Sequence, residues 1–474
     1  MDGVLKHSKG SFMKKDQDKQ IAEILAEFIV SQKFEDLPEE TIENAKHYMM
    51  DVIGCIVGAA KETQAQTLVE VIKAEGGKAH SSVFAQGFKT SVMNAAMVNG
   101  EMGHIFDFDD DHREATTHTS AAVFPAVFAL GEKLKVSGKD LLRAFILGSE
   151  VTIRVAEAFL GKTFYQGFHP TGTCGVFGAA AGCALLLGLD ATQTKYALGL
   201  AGSFAAGTME WRTENSWQKP LQPGHAAMCG VLAASLAAKN FIGAGTIFEG
   251  PDGVVRAFSF KDIFDHSLIT KDLGKKWEMK DTSIKVQACC RFGAPAVDCA
   301  LDLYRQGVRA KDVKEILAKV GDIAIQMLTK PIERKLPPVT HIDAQFSLPY
   351  MIAVAICKNR SGVDEFKKEA LGDAEVLELA SKVKWELDPA AEALYPRSYP
   401  ATLIAILNDG RRFEAHVDYP KGDPENPVSM EELVDKFKSL TERLFSRKKR
   451  EKIVGILQRL EDMENIAKVA DLLR

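Results

Sequence analysis

The chain has 474 residues, 46% hydrophobic and 26% charged, with a formal net charge of −5. This length predicts two or three domains, or one large core with a smaller one, and the composition is that of a soluble globular protein. The slightly acidic balance excludes the broad basic footprint of a nucleic-acid-binding protein. The basic run at 447–450 lies in a helical pattern and is better explained as a solvated helix face.

Cysteine usage and the apolar stretches indicate a cytoplasmic protein that has no membrane partner. The 8 cysteines follow no metal-ligand spacing, which is typical of a reducing compartment. Residues 1–18 are charged and lack the apolar region of a secretory signal, so we expect this segment to fray. The apolar stretch at 175–189 is too short to span a bilayer and predicts a buried helix with tight packing.

Helical periodicity dominates the first half of the chain. Apolar residues recur at helical spacing from residue 21, and Pro38 suits the start of a second helix. Many of the later segments are rich in Ala, Gly and Cys, which allows close helix packing. The predicted helices cover approximately residues 21–29, 39–60, 66–75, 91–101, 120–135, 139–160, 174–187, 191–203 and 224–239.

Strands enter after about residue 264. Two β-prone runs flank Asn408-Asp409-Gly410, a turn that needs positive φ, and predict a hairpin. The predicted elements of this part are, in order, a helix at 294–306, a helical piece at 312–320, strands at 323–327 and 383–387, a helix at 344–357, and hairpin strands at 399–407 and 412–419.

These patterns predict a mainly α fold, in which a large all-helical domain carries an inserted smaller α+β lid domain. The helical domain covers 19–268 and the lid covers 269–424. Residues 425–474 begin with a capping box from Ser429 to Glu432, and we expect their helices to pack back on the helical domain. A cleft between two such bodies is a usual place for a site.

The segment at 103–120 contains four aspartates and three histidines between two apolar helical segments. Asp107 and His118 are its first candidates for catalysis. Carboxylates this close repel one another, and a buried carboxylate is costly unless it is paired. One interpretation is therefore a functional site, and the alternative is a solvated acidic loop with capping aspartates.

His169 and Lys219 are the next candidates. His169 precedes a small-residue helix whose free N–H groups could bind an anion, although it could equally cap that helix. Lys219 lies between Trp and Pro, shortly before the helix predicted from Gly224, where it could bind a carboxylate. The alternative for Lys219 is an ordinary surface lysine.

Two segments of the second part offer further polar groups. Cys290 and Arg291 precede a helix, and a guanidinium can bind a carboxylate through two hydrogen bonds. The alternative for Cys290 is a buried structural thiol. Gln345 and Tyr350 lie near the start of another helix and are weaker substrate-binding candidates.

The usual cofactor motifs are missing from the sequence. It contains no GxGxxG or GxxxxGK[ST] loop, no HExxH or CxxC pair and no GxSxG elbow. The aspartates at 107–111 lack EF-hand spacing, so we expect no metal and no cofactor. The remaining set of Asp, His, Lys, Cys and Arg suits acid–base chemistry on a small anionic substrate.

Several blocks of the sequence, in order, resemble the MmgE/PrpD family from about residue 21 to the C-terminal helix. The blocks are Gly103-His104-Ile105-Phe106-Asp107-Phe108-Asp109-Asp110, His118 with Phe124-Pro125-Ala126, Gly167-Phe168-His169-Pro170-Thr171, Lys219-Pro220-Leu221 with Pro223-Gly224, Ala288-Cys289-Cys290-Arg291-Phe292, Ala344-Gln345-Phe346-Ser347-Leu348-Pro349-Tyr350 and Tyr419-Pro420-Lys421-Gly422-Asp423-Pro424.

The resemblance implies a helical domain with an α+β lid, an active site between them, no cofactor and usually a homodimer. It assigns the acidic residue to Asp107, the histidines to His118 and His169, and the substrate-facing lysine to Lys219. It also assigns the position that opens the lid helix to Cys290 with Arg291.

The sequence departs from the family pattern at two positions. Ala294 stands where members often carry His after the Cys-Cys-Arg block, so an acid or base from the lid would be missing. His225 stands where the family often has an aromatic residue after the Lys-Pro segment. His225 could replace the missing imidazole or simply belong to a helix start, and it is included among the substrate-binding candidates.

The leading expectation is a cofactor-independent hydro-lyase that dehydrates a small polycarboxylate resembling 2-methylcitrate or citrate. Asp107, His118 or His169 would remove the proton α to a carboxylate, while Lys219 and Arg291 hold the carboxylates. The alternatives are an epimerase of an iminodisuccinate-like acid, a decarboxylase of a cis-aconitate-like acid, and a non-catalytic carboxylate-binding homologue.

Overall fold

The computed structural model describes residues 19–214 and 216–474, so the fraying expected at 1–18 lies outside the described residues. The first part of the chain is almost entirely helical, as predicted. Its helices are α1 (Ile21–Ser31), α2 (Glu39–Ala59), α3 (Thr63–Glu75), α4 (Val92–His104), α5 (Thr119–Leu134), α6 (Gly138–Glu157), α7 (Pro170–Leu186), α8 (Ala191–Ala201), α9 (Trp211–Glu214), α10 (Gln218–Ala237), α11 (Val254–Phe258) and α12 (Ser267–Thr270).

Two short antiparallel strand pairs accompany these helices. Strands β1 (Ser81–Val83) and β2 (Phe88–Thr90) form one pair, and β3 (Asp111–His112) and β4 (Thr282–Ser283) form the other. The second pair joins the acidic segment to the start of the α+β part, so it connects regions of the chain that are far apart in sequence.

The second part combines helices with a four-stranded sheet whose strand order is β6-β5-β7-β8. Strand β5 runs parallel to β6 and antiparallel to β7, and α13 packs against β7 and β8. The elements are α13 (Ala294–Arg305), β5 (Val313–Val320), α14 (Asp322–Leu328), α15 (Ile332–Lys335), α16 (His341–Gln345), α17 (Leu348–Lys358), α18 (Ala374–Ser381), β6 (Val383–Leu387), α19 (Pro389–Glu392), β7 (Ala401–Leu407) and β8 (Arg412–Val417).

Two predictions in this part were wrong, because the spacing of apolar residues along the chain was assigned to the wrong kind of element. The segment predicted as a helical piece at 312–320 forms strand β5. A register shift between Val313 and Glu315 leaves the buried Val313 and Ile316 three residues apart, and this spacing is the same as on a helix. Residues 323–327 belong to helix α14, since a short apolar run has the same appearance in either element. The hairpin prediction is confirmed, with Gly410 at φ 88° in its turn.

The C-terminal helices are α20 (Met430–Thr441), α21 (Arg447–Leu457) and α22 (Ala467–Leu473). The capping box predicted at Ser429 and Glu432 is present at the start of α20. Helices α20 and α21 pack against α2, and α22 packs against α5. The fold is therefore mainly α with small sheets, while the lid role of the α+β part stays a prediction.

Small residues let the central helices approach closely. Gly148 of α6 lies against Gly178 of α7, where a Cβ on Gly178 would lie 2.2 Å from the Gly148 carbonyl oxygen. Helix α7 is buried almost throughout, which confirms the buried helix predicted for this stretch. No helix among the described residues is long and apolar enough to cross a membrane.

Gly178→Val should destabilise the protein by at least about 1–3 kcal/mol, because the added side chain meets backbone that cannot move aside. Gly455→Ala in α21 is the matched control, since nothing lies within 4 Å of its Cβ position. Urea unfolding of both variants checks the expectation. Equal midpoints for Gly178→Val and the wild type would contradict the close helix packing.

Candidate active site

The acidic segment is buried, which excludes the alternative of a solvated loop. Asp107 follows the end of α4 with φ 48°, a left-handed conformation that Asp tolerates better than most residues. Its Oδ1 lies 3.3 Å from Lys219 Nζ and 2.8 Å from Lys285 Nζ. Burial alone would raise the pKa of Asp107, but the two ammonium groups outweigh it and hold the pKa below its usual range. Asp107 is therefore an anion.

His104, the last residue of α4, connects Lys219 to a second carboxylate. Its Nδ1 lies 2.9 Å from Asp109 Oδ1, and its Nε2 lies 2.6 Å from Lys219 Nζ. These contacts assign the Nδ1 proton to the bond with Asp109 and leave Nε2 to accept from the ammonium group. Burial lowers the pKa of His104 to about 4; Asp109 opposes this shift and Lys219 supports it.

His118 immediately precedes α5 and lies among three carboxylates. Its Nε2 is 3.5 Å from Asp107 Oδ1 and 3.4 Å from Asp111 Oδ2, and its Nδ1 is 3.3 Å from Asp109 Oδ2. The ring is 4.4 Å from that of His104 between centroids. His118 can therefore exchange protons with more than one acid.

His169 immediately precedes α7, but its side chain does not cap that helix. Its Nδ1 lies 2.7 Å from Gln222 Oε1, so Nδ1–H donates and the lone pair of Nε2 is left to act as a base. Burial, supported by Lys219, lowers the pKa of His169 well below its usual value. The imidazole is consequently neutral near pH 7.

Lys219 is buried, which excludes the surface alternative. It lies in the first turn of α10, because that helix begins at Gln218 and not at the predicted Gly224. Two of its three N–H donors point to His104 and Asp107, and the third remains for a ligand. Its Nζ is 5.8 Å from the Trp211 ring centroid and 5.6 Å from that of Phe346.

Cys290 and Arg291 come from the α+β part and face the same space. Arg291 bonds Asp423 through Nη2, while its buried Nε has no hydrogen-bond partner among the described residues. Burial raises the pKa of the Cys290 thiol to about 12, so it is protonated. Gln345 Nε2 donates to Phe106 O at 2.7 Å, and the Cys290 amide donates to Gln345 O. Gln345 thus connects the segment that carries Asp107 to the segment that carries Cys290.

Most of these side chains line one cavity between the helical part and the α+β part of the chain. One wall is polar and comes mainly from the helical part, and the other is largely aromatic. The cavity is lined by Asp107, Asp111, Thr116, His118, Phe164, His169, Trp211, Lys219, Cys290, Arg291, Phe292, Met327, Phe346 and Tyr399.

Three predicted substrate-binding residues do not line this cavity. Gln345 is the first, because its side-chain amide donates to the carbonyls of Phe106 and Ala288. The other two are His225 and Tyr350. His225 is one turn further along α10 than Leu221, and its Nε2 lies 3.4 Å from Cys229 Sγ on the same helix. The Tyr350 hydroxyl donates to the carbonyls of Glu365 and Ala370, away from the site. All three candidates are therefore corrected, and for His225 and Tyr350 the reason is that helix direction turns these side chains elsewhere.

Sequence reasoning missed three residues of the site as individual candidates. His104 and Asp111 lie within the acidic segment that it singled out, but only Asp107 and His118 were selected there. Lys285 had no motif around it, and its contact with Asp107 spans 178 positions in the chain. The sequence could have indicated Lys285 only indirectly. Buried aspartates need cationic partners, and the motifs supply too few of them.

His104, Asp107, Asp109 and His118 offer ligand atoms within 4.8 Å of one another, a spacing that could hold a metal ion. The charges argue against a resident divalent cation here. Asp107 already contacts two ammonium groups, and Asp109 contacts both imidazoles. The donor set therefore fits a cation poorly, and the expectation of a metal-independent site stays a prediction.

Family profiles match both parts of the chain. The MmgE/PrpD N-terminal domain matches residues 23–267, and the MmgE/PrpD C-terminal domain matches residues 288–462. The chain belongs to the MmgE/PrpD family. The resemblance inferred from the sequence blocks is confirmed.

Curated MmgE/PrpD relatives are enzymes that the chain matches over nearly its whole length. Human cis-aconitate decarboxylase is 28% identical over 476 residues, covering 96% of this chain and 95% of the human protein. Cis-aconitate decarboxylase of Aspergillus terreus is 27% identical over 469 residues, covering 93% of each chain. The 2-methylcitrate dehydratase of Escherichia coli is 23% identical over 482 residues, covering 94% of this chain and 95% of that protein.

The neutral state of His104 predicts an acid-sensitive fold for this MmgE/PrpD protein. The folded chain holds the His104 pKa near 4, whereas an exposed histidine titrates near 6.5. Between these values the unfolded state binds the extra proton, so stability is present above pH 6.5 and is lost as the pH falls toward 4. Thermal unfolding from pH 7.5 to 4.5 should show this decrease.

His104→Asn is the variant for this measurement, because an amide can still donate to Asp109 but does not titrate. We expect its unfolding temperature to depend less on pH than that of the wild type. Identical pH slopes for the two proteins would assign the acid sensitivity to other groups.

Proposed function

We propose that this protein is a lyase acting on a small polycarboxylate, by proton transfer at the carbon α to a carboxylate. The observation that carries the proposal is that the cationic groups of Lys219 and Arg291 and the imidazoles of His118 and His169 line one cavity. Lys219 comes from the helical part of the chain and Arg291 from the α+β part. An enolate formed beside Lys219 would be stabilised by its charge.

His169 and His118 are the proposed bases. The Nε2 of His169 has a free lone pair, and His118 can pass a proton to the neighbouring carboxylates. Asp107 is a weaker base than the sequence suggested, because two ammonium groups stabilise its anion. Its proposed role is to hold Lys219 and orient His118. Cys290 is proposed to line the cavity, where its protonated thiol can donate a weak hydrogen bond.

Dehydration of a citrate-like or 2-methylcitrate-like hydroxy acid is the first candidate reaction. The cavity contains acids beside its bases, so one group can remove the α-proton while another protonates the departing hydroxyl. The dehydratase activity named for the Escherichia coli relative is consistent with this reaction.

Decarboxylation is the second candidate, and two observations favour it. The human and fungal relatives that match the whole chain are named as cis-aconitate decarboxylases. The aromatic wall formed by Phe164, Trp211, Phe292 and Phe346 would also desolvate a carboxylate that leaves as carbon dioxide. The same imidazoles would then return a proton to carbon. Epimerisation of an iminodisuccinate-like acid would use the same bases without a leaving group.

The test is NMR of the protein in heavy water with 2-methylcitrate, citrate, cis-aconitate and iminodisuccinate. We expect new vinyl signals from a hydroxy acid for dehydration, or carbon dioxide with a shortened product for decarboxylation. Deuterium uptake without elimination would instead identify an epimerase. Binding without any of these changes would identify a non-catalytic homologue, and the lyase proposal would be wrong.

Lys219→Ala should lower kcat/KM for the true substrate by about 100-fold or more, because it removes the charge that stabilises the enolate. His225→Ala is the matched control on the same helix, since its side chain lies outside the cavity lining. Steady-state kinetics of both variants, with unfolding temperatures to verify folding, check this assignment. Unchanged kcat/KM in Lys219→Ala would remove Lys219 from the mechanism.

Activity should survive exhaustive EDTA treatment and should not rise when Mg²⁺, Zn²⁺ or Fe²⁺ is added back. The physical reason is that Lys219 and Lys285 already neutralise Asp107, the carboxylate a metal would need. Rates measured before treatment, after it and after each addition decide the question. A loss that one metal restores would show that the cluster around His104 holds a cofactor.

The homodimer and the cytoplasmic location predicted from the sequence stay predictions. Light scattering coupled to size-exclusion chromatography would give the oligomeric state directly.

A further inference from the structure

We propose that Asp111 is a further catalytic residue, the general acid that protonates the hydroxyl group leaving from the substrate. The inference rests on the proposed lyase function and deepens it. It names a hydroxyl-bearing polycarboxylate as the substrate class, since a hydroxyl group must be protonated to leave as water.

Asp111 differs from the other aspartates of the site in its partners. Asp107 contacts Lys219 and Lys285, and Asp109 contacts His104 and His118. Asp111 lines the cavity, its Oδ2 lies 3.4 Å from His118 Nε2, and no lysine or arginine lies within 4.0 Å of its carboxyl group among the described residues. Its carboxyl group is therefore the one facing the cavity that is least committed to neutralising a protein charge.

The backbone holds Asp111 in this orientation. Strand β3 pairs with β4, with Asp111 opposite Ser283. The next residue, His112, points to the other face of the strand, where its Nε2 donates to Glu278 O and its Nδ1 accepts from the Ala115 amide. Alternation along a strand then directs Asp111 toward the cavity. The carboxyl group of Asp111 is thus positioned by a hydrogen-bonded strand pair.

The surroundings favour the protonated form of Asp111. Burial raises its pKa above the usual value, and Asp107 adds to the shift, while His118, Arg291 and Lys285 oppose it. A raised pKa makes a carboxyl group better suited to donate a proton as a general acid in the transition state.

The proposed step balances as follows for a hydroxy acid. The base, His118 or His169, takes the α-proton, and the C–H electron pair forms the new carbon–carbon double bond. The C–O bond breaks at the same time, and its oxygen takes the proton from Asp111 to leave as water. Asp111 becomes a carboxylate, and the base holds one extra proton.

His118 provides a route that restores the starting state. Its Nε2 lies 3.4 Å from Asp111 Oδ2, so it can return a proton to that carboxylate directly. No outside oxidant, reductant or co-reactant is needed. This contact is absent for His169, whose assigned partner is Gln222.

Asp111→Asn is the test, with elimination and α-hydrogen exchange measured together by NMR in heavy water. General acids typically contribute about 100- to 10,000-fold, so we expect elimination of the hydroxyl to fall at least 100-fold. Exchange of the α-hydrogen with deuterium should persist, because the base is untouched. A merely structural role would lower both rates together.

A substrate analogue with fluorine in place of the hydroxyl sharpens the test. Fluoride leaves without being protonated, so the Asp111→Asn variant should eliminate it at a rate close to that of the wild type. Asp111→Thr serves as a second variant, because a β-branched residue suits strand β3 if Asn disturbs folding. It should show the same split between hydroxyl and fluoride.

Asp110→Asn is the matched control, because it makes the same chemical change at the residue that precedes Asp111. Asp110 is buried but does not line the cavity, and burial, with Asp109 and Asp51, raises its pKa well above the usual value. The amide therefore replaces a neutral carboxyl group of similar shape, and dehydration should stay within a few-fold of the wild-type rate.

Three results would overturn the role of Asp111 while leaving the lyase proposal intact. They are dehydration at the wild-type rate in Asp111→Asn, equal loss of exchange and elimination in a folded variant, and a wild type that only decarboxylates. A wild type that neither exchanges nor converts any acid of the panel would instead overturn the proposed function, and the role of Asp111 with it.

Discussion

The pairing of Asp107 with Lys219 and Lys285 is the interaction on which the site depends. A buried carboxylate without a partner would be protonated or would destabilise the fold by several kcal/mol. Here two ammonium groups from distant parts of the chain contact the same oxygen atom. Removing either would leave a buried charge partly uncompensated, so the ion triplet links folding of the acidic segment to the position of the substrate-facing lysine.

Lys285 connects this triplet to the C-terminal helices. Lys436 of α20 donates to the carbonyls of Lys285 and Phe108 and forms an ion pair with Asp51 of α2 at 2.5 Å. The Lys436 ammonium also lies 3.8 Å from the Phe108 ring centroid. Helix α20 does not line the cavity, but Lys436 thus anchors the segment that carries Asp107 through the Phe108 carbonyl.

The remaining polar groups reach the cavity from the ends of helices. His104 ends α4, His118 and His169 precede α5 and α7, and Lys219 lies in the first turn of α10. These ends meet because the helices cross at small residues. Gly100 of α4 lies against Gly224 of α10, and Gly175 of α7 lies against Ala122 of α5. The Ala- and Gly-rich helices therefore have a functional consequence, since larger side chains would separate the imidazoles.

The chemistry proposed for this family member follows from how differently its acids are neutralised. Asp107 and Asp109 are held as anions by cations and imidazoles, whereas Asp111 has no lysine or arginine partner within ion-pair distance among the described residues. Identical side chains, two and four positions apart, therefore take different roles. The surroundings of each aspartate, rather than its residue type, decide whether it acts as a proton donor or as a partner of a buried cation.

The sequence by itself determined the family, the mainly α fold, most helix positions, the hairpin and six cavity residues, namely Asp107, His118, His169, Lys219, Cys290 and Arg291. These features depend on local spacing or on short motifs. Only the tertiary structure decided that Lys285 contacts Asp107, that His225 and Tyr350 point away, and that β5 is a strand with a register shift. The physical reason is that charge pairing and side-chain direction depend on partners more than a hundred residues away, which periodicity along the chain does not record.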